Sequence, residues 1–241
     1  MEEKIFIKKE TIQRLIKDIK HIKKEPLTTE NIYYHHDEEN ILRGYALIIG
    51  PEETPYFGGY YLFILDFPTD YPHSPPKVTF ITNGDGIRFN PNLYVDGKVC
   101  ISLLNTWRGE QWTSCQTIST ILLTLGTLLS NDPLLNEPGV YKTHIDFHKY
   151  TKIIEYKNIE VAILNILNRE KLSYYSQYTF IQYFDKIMRE KFLENKEKIK
   201  NFINTKRKEN PEFIKTNIYY MNVWIDYNKL YDKIDLQLKT I

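Results

Sequence analysis

The chain has two cysteines, Cys100 and Cys115, and they sit in different company. Cys100 follows Asp96-Gly97-Lys98-Val99 in a turn-rich stretch and comes eight residues after Asn92. An unperturbed thiol is only a few per cent thiolate near neutral pH, yet that already makes it a strong nucleophile. A thiol is also a good leaving group, so Cys100 suits the carrying of an acyl group as a thioester. Cys115 follows Trp112-Thr113-Ser114 near the start of a helix, with nothing polar organised around it, and reads as a small buried hydrophobe. The two cysteines form no CxxC pair, which argues against a zinc site, and nothing suggests a secreted disulfide scaffold. A thiol hydrolase built on Cys100 needs a histidine poised on the sulfur, and the loop supplies none. His21, His35, His36, His144 and His148 have no spacing that demands a role and read as surface or turn residues.

The elements that must hold Cys100 are legible from periodicity. Ile12, Leu15, Ile16, Ile19 and Ile22 repeat at three and four and predict a helix over 11–24, with Arg14, Lys17, Asp18 and Lys20 on its polar face and Pro26 just past its end. Apolar runs at 42–50, 60–67 and 77–82, bounded by Gly50-Pro51, Gly58-Gly59 and Pro75-Pro76, predict strands. A further strand at 32–35 completes a four-stranded antiparallel meander. From 83 to 114 the pattern gives way to turn pairs such as Asn90-Pro91 and Asp96-Gly97. An irregular stretch of that length inside a compact domain is usually functional. Residues 116–131 are apolar almost all round and predict a buried helix.

Beyond Gly139 the chain changes character. Ile159, Ala162, Ile163, Ile166 and Leu167 mark one amphipathic helix; Ile181, Phe184, Met188 and Phe192 mark another. Tyr220, Trp224, Tyr227, Tyr231, Ile234 and Leu238 then alternate at four and three, a heptad-like stripe that predicts a buried packing seam. The expected organisation is a core over 1–140 with a helical extension over 141–241 packed on it.

Bulk properties remove several classes of function. Lys and Arg number 32 against 31 Asp and Glu, so the net charge of +1 provides no electrostatic excess for nucleic acid. Apolar residues make up 42% and charged residues 26%, an ordinary globular balance. The apolar stretch at 118–129 is too short and too rich in threonine to span a bilayer, and the first ten residues lack the apolar core of a signal peptide.

Against this background several motifs stand in register. Tyr71-Pro72-His73-Ser74-Pro75-Pro76-Lys77-Val78-Thr79-Phe80 resembles the YPxxPPxVxF segment of ubiquitin-conjugating enzymes. Gly50-Pro51 with Pro55-Tyr56-Phe57-Gly58-Gly59 resembles the family's GPxxxPYxGG turn. Phe89-Asn90-Pro91-Asn92, followed by Gly97-Lys98-Val99-Cys100-Ile101, resembles FHPN and the thioester cysteine eight residues on. Trp112, Leu128-Leu129 and Asp132-Pro133 continue the match in order. Leu104-Asn105-Thr106-Trp107 and Asn136-Glu137-Pro138-Gly139 are similar to one branch, the large hybrid enzymes that join conjugating and ligase functions, with the giant inhibitor-of-apoptosis protein as type case. The resemblance implies an α+β UBC fold: an N-terminal helix, the meander, the active-site loop, a central helix and, in this branch, a helical extension.

It implies roles as well. Cys100 matches the thioester cysteine. Asn92 matches the asparagine whose amide supports the active-site loop and stabilises the oxyanion, a kind of donor worth ~10²–10³ in rate. Glu137 aligns with an acid that orients the incoming lysine and helps it lose its proton, although residues 106–111 resemble an insertion that lengthens the spacing from Cys100. Asp96 is a second candidate for that acid. Asn90 replaces the HPN histidine, a tolerable change if it makes the same structural bonds. His73 is polar where relatives that use RING ligases carry a large apolar residue, which argues against ordinary RING partners. Trp107 and Trp112 read as loop-packing aromatics that also suit contact with ubiquitin.

The implied activity is transfer of ubiquitin, or a related modifier, from an activating enzyme to substrate lysines through Cys100. A ligase, or a self-sufficient hybrid activity, completes the set of partners; no nucleic acid and no membrane is expected. No cofactor or metal is implied, ATP being used by the upstream activating enzyme. The expected location is the cytoplasm, with the nucleus as a second site. A catalytically dead scaffold of the same fold is the competing reading, and the presence of Cys100 weighs against it.

Overall fold

Helix α1 spans Lys9–Lys24 and stops where expected, with the Glu25 N–H donating to His21 O at 2.8 Å before Pro26. The computed structural model describes residues 6–169 and 172–238. Leu15 and Ile22 are buried on α1 as the periodicity requires, but Asp18 is buried with them at 4% exposure, not on the polar face. Its carboxylate accepts from Arg14 Nε at 3.0 Å and from the Tyr71 hydroxyl at 2.5 Å. The apolar period gave no sign of this, because a fully partnered carboxylate can occupy a core-facing position.

The strands are β1 (Ile32–His36), β2 (Arg43–Ile49), β3 (Tyr60–Asp66) and β4 (Lys77–Phe80), in the order β1-β2-β3-β4. The antiparallel register pairs Tyr34 with Ala46 and Phe63 with Phe80. Ala46 to Ile49 and Tyr60 to Phe63 are all buried, which is why β2 and β3 read as continuous apolar runs rather than alternating ones. Helix α2, Ile118–Thr127, is capped by Thr117, whose hydroxyl accepts from the Thr120 N–H at 3.3 Å. It packs beside α1 and β1.

The C-terminal elements are α3 (Phe147–Lys157), continued by a π-helical segment Asn158–Asn165; the short α4 (Ser173–Ser176); α5 (Asp185–Lys206); the hairpin β5 (Glu212–Lys215) and β6 (Asn222–Ile225); and α6 (Tyr227–Leu238). The expected seam from Tyr220 to Leu238 is therefore divided. Tyr220 lies in a loop at 84% exposure, and Trp224 lies on a strand at 53%, paired across the hairpin with Phe213. Val223 and Ile225 are the buried face of β6, so period two governs here and the heptad spacing was fortuitous. Tyr227, Leu230 and Ile234 carry the buried face of α6; the side chain of Leu238 lies outside the described residues.

The chain forms two compact units. One comprises residues up to 48, 62–81 and 92–128; the other comprises 49–61, 82–91 and residues from 129 onward. Within the second, segments 49–61 and 82–91 are bound to the C-terminal helices. The Tyr60 hydroxyl donates to Met188 O at 2.7 Å, the Tyr61 hydroxyl to Asn158 Oδ1 at 2.7 Å, and the Tyr175 hydroxyl to Asn83 O at 2.6 Å. Asn158 Nδ2 donates to Phe57 O at 2.9 Å. Gly59 is required beside it, because a Cβ there would meet Asn158 Oδ1 at 1.9 Å.

Candidate functional site

Cys100 ends a short reversal of the chain in the first unit. Leu93 bridges Val99, the Tyr94 N–H donates to Lys98 O at 2.9 Å, and the Gly97 N–H to Tyr94 O at 3.0 Å. Gly97 turns the chain with φ 88°, a conformation glycine adopts without strain. Asp96 caps that turn, its Oδ1 accepting the Lys98 N–H at 3.0 Å, which is the ordinary work of an Asp-Gly pair. The turn is tied to β4 by the bridge from Thr79 to Lys98 and by the Phe80 N–H donating to Gly97 O at 2.8 Å.

Asn92 and Cys100 close this reversal reciprocally. The Cys100 N–H donates to Asn92 O at 2.9 Å, and Asn92 Nδ2 donates to Cys100 O at 2.6 Å. Cys100 is 4% exposed, and its Sγ donates to Thr106 O at 2.8 Å. Thr106 is a further anchor: its Oγ1 accepts the Ile101 N–H at 2.9 Å and lies 3.0 Å from both Val99 O and Ile101 O. Residues 105–111 are exposed and form a loop that contains the 106–111 stretch. Asn105, left-handed at φ 58°, accepts the Trp112 N–H at 2.9 Å and closes the loop's base. Trp112 is buried, with its indole N–H on Pro72 O at 2.7 Å and its ring against Tyr71; Trp107 is exposed. Alongside Val99 runs a cleft of about 500 Å³, lined by Pro75, Pro76, Lys77, Gly97, Lys98 and Thr106 among others. Cys115 is exposed, contrary to the buried reading: it lies in a turn before α2 and not within the helix. His73 is exposed too.

Glu137 belongs to the second unit, following the 3-10 turn Pro133–Asn136. Its carboxylate accepts a hydrogen bond from the Tyr219 hydroxyl. Asn90 is fully buried; its amide donates to Tyr56 Oη at 3.2 Å and its Oδ1 accepts from Asn136 Nδ2 at 3.3 Å. Arg88 donates to Asn90 O at 3.2 Å and to Pro91 O at 2.6 Å, and its guanidinium lies 4.9 Å from the centre of the Tyr219 ring. Burial pushes the Tyr56 and Tyr150 phenols well above their usual range, so both serve as neutral donors, to Phe89 O and Arg88 O. Of the expected residues, Cys100 and Asn92 are thus brought into direct contact, while Glu137 sits in its own network with Asn136, Asn90, Arg88 and Tyr219. Thr106 and Tyr219 were not singled out by the sequence. Thr106 was visible only as a member of the Leu104–Trp107 motif and the start of the stretch resembling an insertion, and Tyr219, 82 residues from Glu137, carried no signal at all.

Among the described residues no cluster of three or more His, Cys, Asp or Glu is arranged to hold a metal ion, and no helix is long and apolar enough to cross a membrane. The family model described as "Ubiquitin-conjugating enzyme" matches residues 14–157. The chain belongs to the ubiquitin-conjugating enzyme family. "Ubiquitin-conjugating enzyme E2 Z" from Danio rerio is 37% identical over 182 residues, covering 72% of this chain and 55% of that protein. Its Homo sapiens counterpart is 37% identical over 180 residues, 71% of this chain and 50% of that protein. "Dual E2 ubiquitin-conjugating enzyme/E3 ubiquitin-protein ligase BIRC6" from Homo sapiens is 42% identical over 118 residues, 46% of this chain and 2% of that protein. The hybrid branch is therefore among the chain's relatives, and the match to the E2 Z proteins is the longer one. The chain spans about half the length of those E2 Z relatives.

Proposed function

We propose that this ubiquitin-conjugating family member accepts ubiquitin from an activating enzyme as a thioester on Cys100 and passes it to substrate lysines. The Cys100 thiolate attacks the thioester carbonyl on the activating enzyme, displacing that enzyme's thiol. A lysine amine then attacks the new thioester, the Cys100 thiolate leaves, and an isopeptide bond forms with loss of a proton from the amine. Asn92 holds the loop in place and supplies an amide donor beside the reacting centre. Glu137 orients the amine and helps remove its proton. The ATP for activation is used upstream, and no cofactor is needed in this chain. A ligase or an activity within the same protein selects the substrate, in the cytoplasm and the nucleus, with no role for nucleic acid or membrane.

The observation that carries this reading is the reciprocal bonding of Asn92 and Cys100, which fixes the cysteine backbone against a side chain to which the resemblance gives a role in the chemistry. Charging must displace Sγ from Thr106 O, because a thiolate cannot donate to that carbonyl. The test is charging with activating enzyme, ATP and one modifier at a time, read as a thiol-sensitive band on a non-reducing gel. Ubiquitin gives the band, Cys100→Ala abolishes it and Cys115→Ala leaves it. A band that persists in Cys100→Ala overturns the assignment.

A further inference from the structure

The hairpin loop between β5 and β6 is held in an unusual conformation, and the residue it presents meets Glu137. Asp146, with none of its surface exposed, accepts the Asn217 and Ile218 N–H groups on a single carboxylate oxygen, at 2.7 and 3.0 Å. Thr216 closes the loop: its N–H donates to Met221 O at 3.0 Å and its hydroxyl to Ile218 O at 2.7 Å. Between these ties Tyr219 and Tyr220 both adopt the left-handed region, at φ 57° and 51°. Two consecutive bulky residues in that region are rare, and such conformations persist where the surroundings over-determine them. Tyr220 gains nothing visible from it, being exposed. Tyr219 is turned so that its ring lies under the Arg88 guanidinium and edge-on to Tyr150, with ring centres 6.0 Å apart, and its hydroxyl reaches the Glu137 carboxylate.

We propose that Tyr219 is a positioning residue for Glu137, which makes the β5–β6 loop a working part of the lysine-attack step. The inference rests on the reading of Glu137 as the acid that orients the incoming lysine. A carboxylate on an exposed turn samples several rotamers; one oxygen held by a phenol leaves the other aimed in a fixed direction. The phenol ring is itself held by Arg88 over its face and by the edge-type contact with Tyr150, so it transmits the loop's geometry to the acid. Asn136, bonded to Asn90, fixes the backbone on the N-terminal side of Glu137. Arg88 joins the two supports, since it touches both the Asn90 carbonyl and the Tyr219 ring.

Tyr219→Phe tests this, because it keeps the ring on Arg88 and Tyr150 and removes only the hydroxyl. The full chain is charged with ubiquitin, and the thioester is then discharged either to free lysine or to hydroxylamine, a nucleophile that is neutral at the working pH. Charging and hydroxylamine discharge are expected to be unchanged. Lysine discharge is expected to slow about tenfold, the size of one hydrogen bond to a charged group. The defect should narrow as the pH rises and lysine loses its proton unaided. Tyr219→Phe added to Glu137→Gln should slow discharge no further than Glu137→Gln alone. If Glu137→Gln slows lysine discharge and Tyr219→Phe does not, the positioning role is wrong while the role of Glu137 stands. If Tyr219→Phe slows lysine and hydroxylamine alike and lowers the melting midpoint, its role is structural and the inference is overturned. If Glu137→Gln discharges to lysine at the full rate, the reading of Glu137 fails and this inference with it.

Discussion

Asn158 is the residue on which the C-terminal helices most directly hold the turn at 50–61, and its removal gives a measurable test of that arrangement. It opens the π-helical segment after α3 and is buried. Its Oδ1 accepts from the fully buried Tyr61 hydroxyl and its Nδ2 donates to Phe57 O. Asn158→Ala leaves a phenol and a backbone carbonyl without these partners. Each lost bond costs about 1–3 kcal/mol at a buried or partly buried site, so the loss is roughly 2–6 kcal/mol. Against a net stability of about 5–15 kcal/mol that is a large fraction. For a chain of this size it lowers the melting midpoint by roughly 4–24 °C. Urea unfolding followed by circular dichroism at 25 °C measures it directly. A coupled variant sharpens the test. Gly59→Ala should itself be destabilising, because its Cβ would meet Asn158 Oδ1 at 1.9 Å, and its effect should shrink in the Asn158→Ala background, where that oxygen is gone. A loss below about 0.5 kcal/mol for Asn158→Ala, or strict additivity of the two substitutions, would refute the reasoning.

The other expectations are narrower. A chain cut before Tyr141 should be insoluble or unfold at much lower urea, since Tyr60 and Tyr61 lose the groups their hydroxyls bond; an equally stable 1–140 fragment would contradict the packing described. Trp224→Ala should change stability by no more than about 0.5 kcal/mol, because the indole is half exposed on β6. Asp18→Ala should cost roughly 1–3 kcal/mol, because the buried Tyr71 hydroxyl loses its acceptor while Arg14 keeps its bonds to Ser114 O and Gln116 O, and thermal denaturation will show it. Asp37 is held below its usual 3.8 by the Tyr45 hydroxyl first, and then by the Asn40 and Glu39 amides. A depressed carboxylate contributes stability above its unfolded pKa and loses it as pH falls through the folded value, so Asp37→Asn should flatten the acid side of the stability curve below about pH 4.

What the sequence made legible, and what it hid, divides along physical lines. Strands β2 to β4 and helix α1 were readable within a residue or two, the helix because one buried face repeats apolar residues at a fixed period and the strands because they are apolar runs bounded by Gly and Pro turn signals. The Asn92–Cys100 pairing was readable because both residues belong to one local turn and one motif. Asp18 and Cys115 were misread in opposite senses because residue type stood in for burial: Tyr71, distant in sequence, partners Asp18 in the interior, whereas Cys115 lies on an exposed turn before α2. The β5–β6 hairpin was hidden under a spacing that suited a helix, although the alternation Asn222-Val223-Trp224-Ile225 held the correct signal at period two. The bond from Tyr219 to Glu137 depends on a loop closed by Asp146 and on two left-handed tyrosines, none of which leaves a mark in a single sequence.

The interleaving of the two units also sets a timetable for synthesis. The first unit is complete once residue 128 has emerged, so the loop that carries Cys100 can assemble early. Segments 49–61 and 82–91 emerge before it is finished but belong with helices that appear only later, up to Ile234 on α6. At ~5–20 residues per second, the interval between Pro91 and Ile234 is roughly 7–30 s. Within that time the Tyr61 and Tyr60 hydroxyls await Asn158 and Met188, the groups they bond in the folded chain, so a nascent chain must keep this aromatic surface from other chains. The dependence of the early segments on the late ones therefore makes this protein a demanding client for whatever shields it at the ribosome, and a slowing of translation beyond residue 91 should lower the yield of soluble chain.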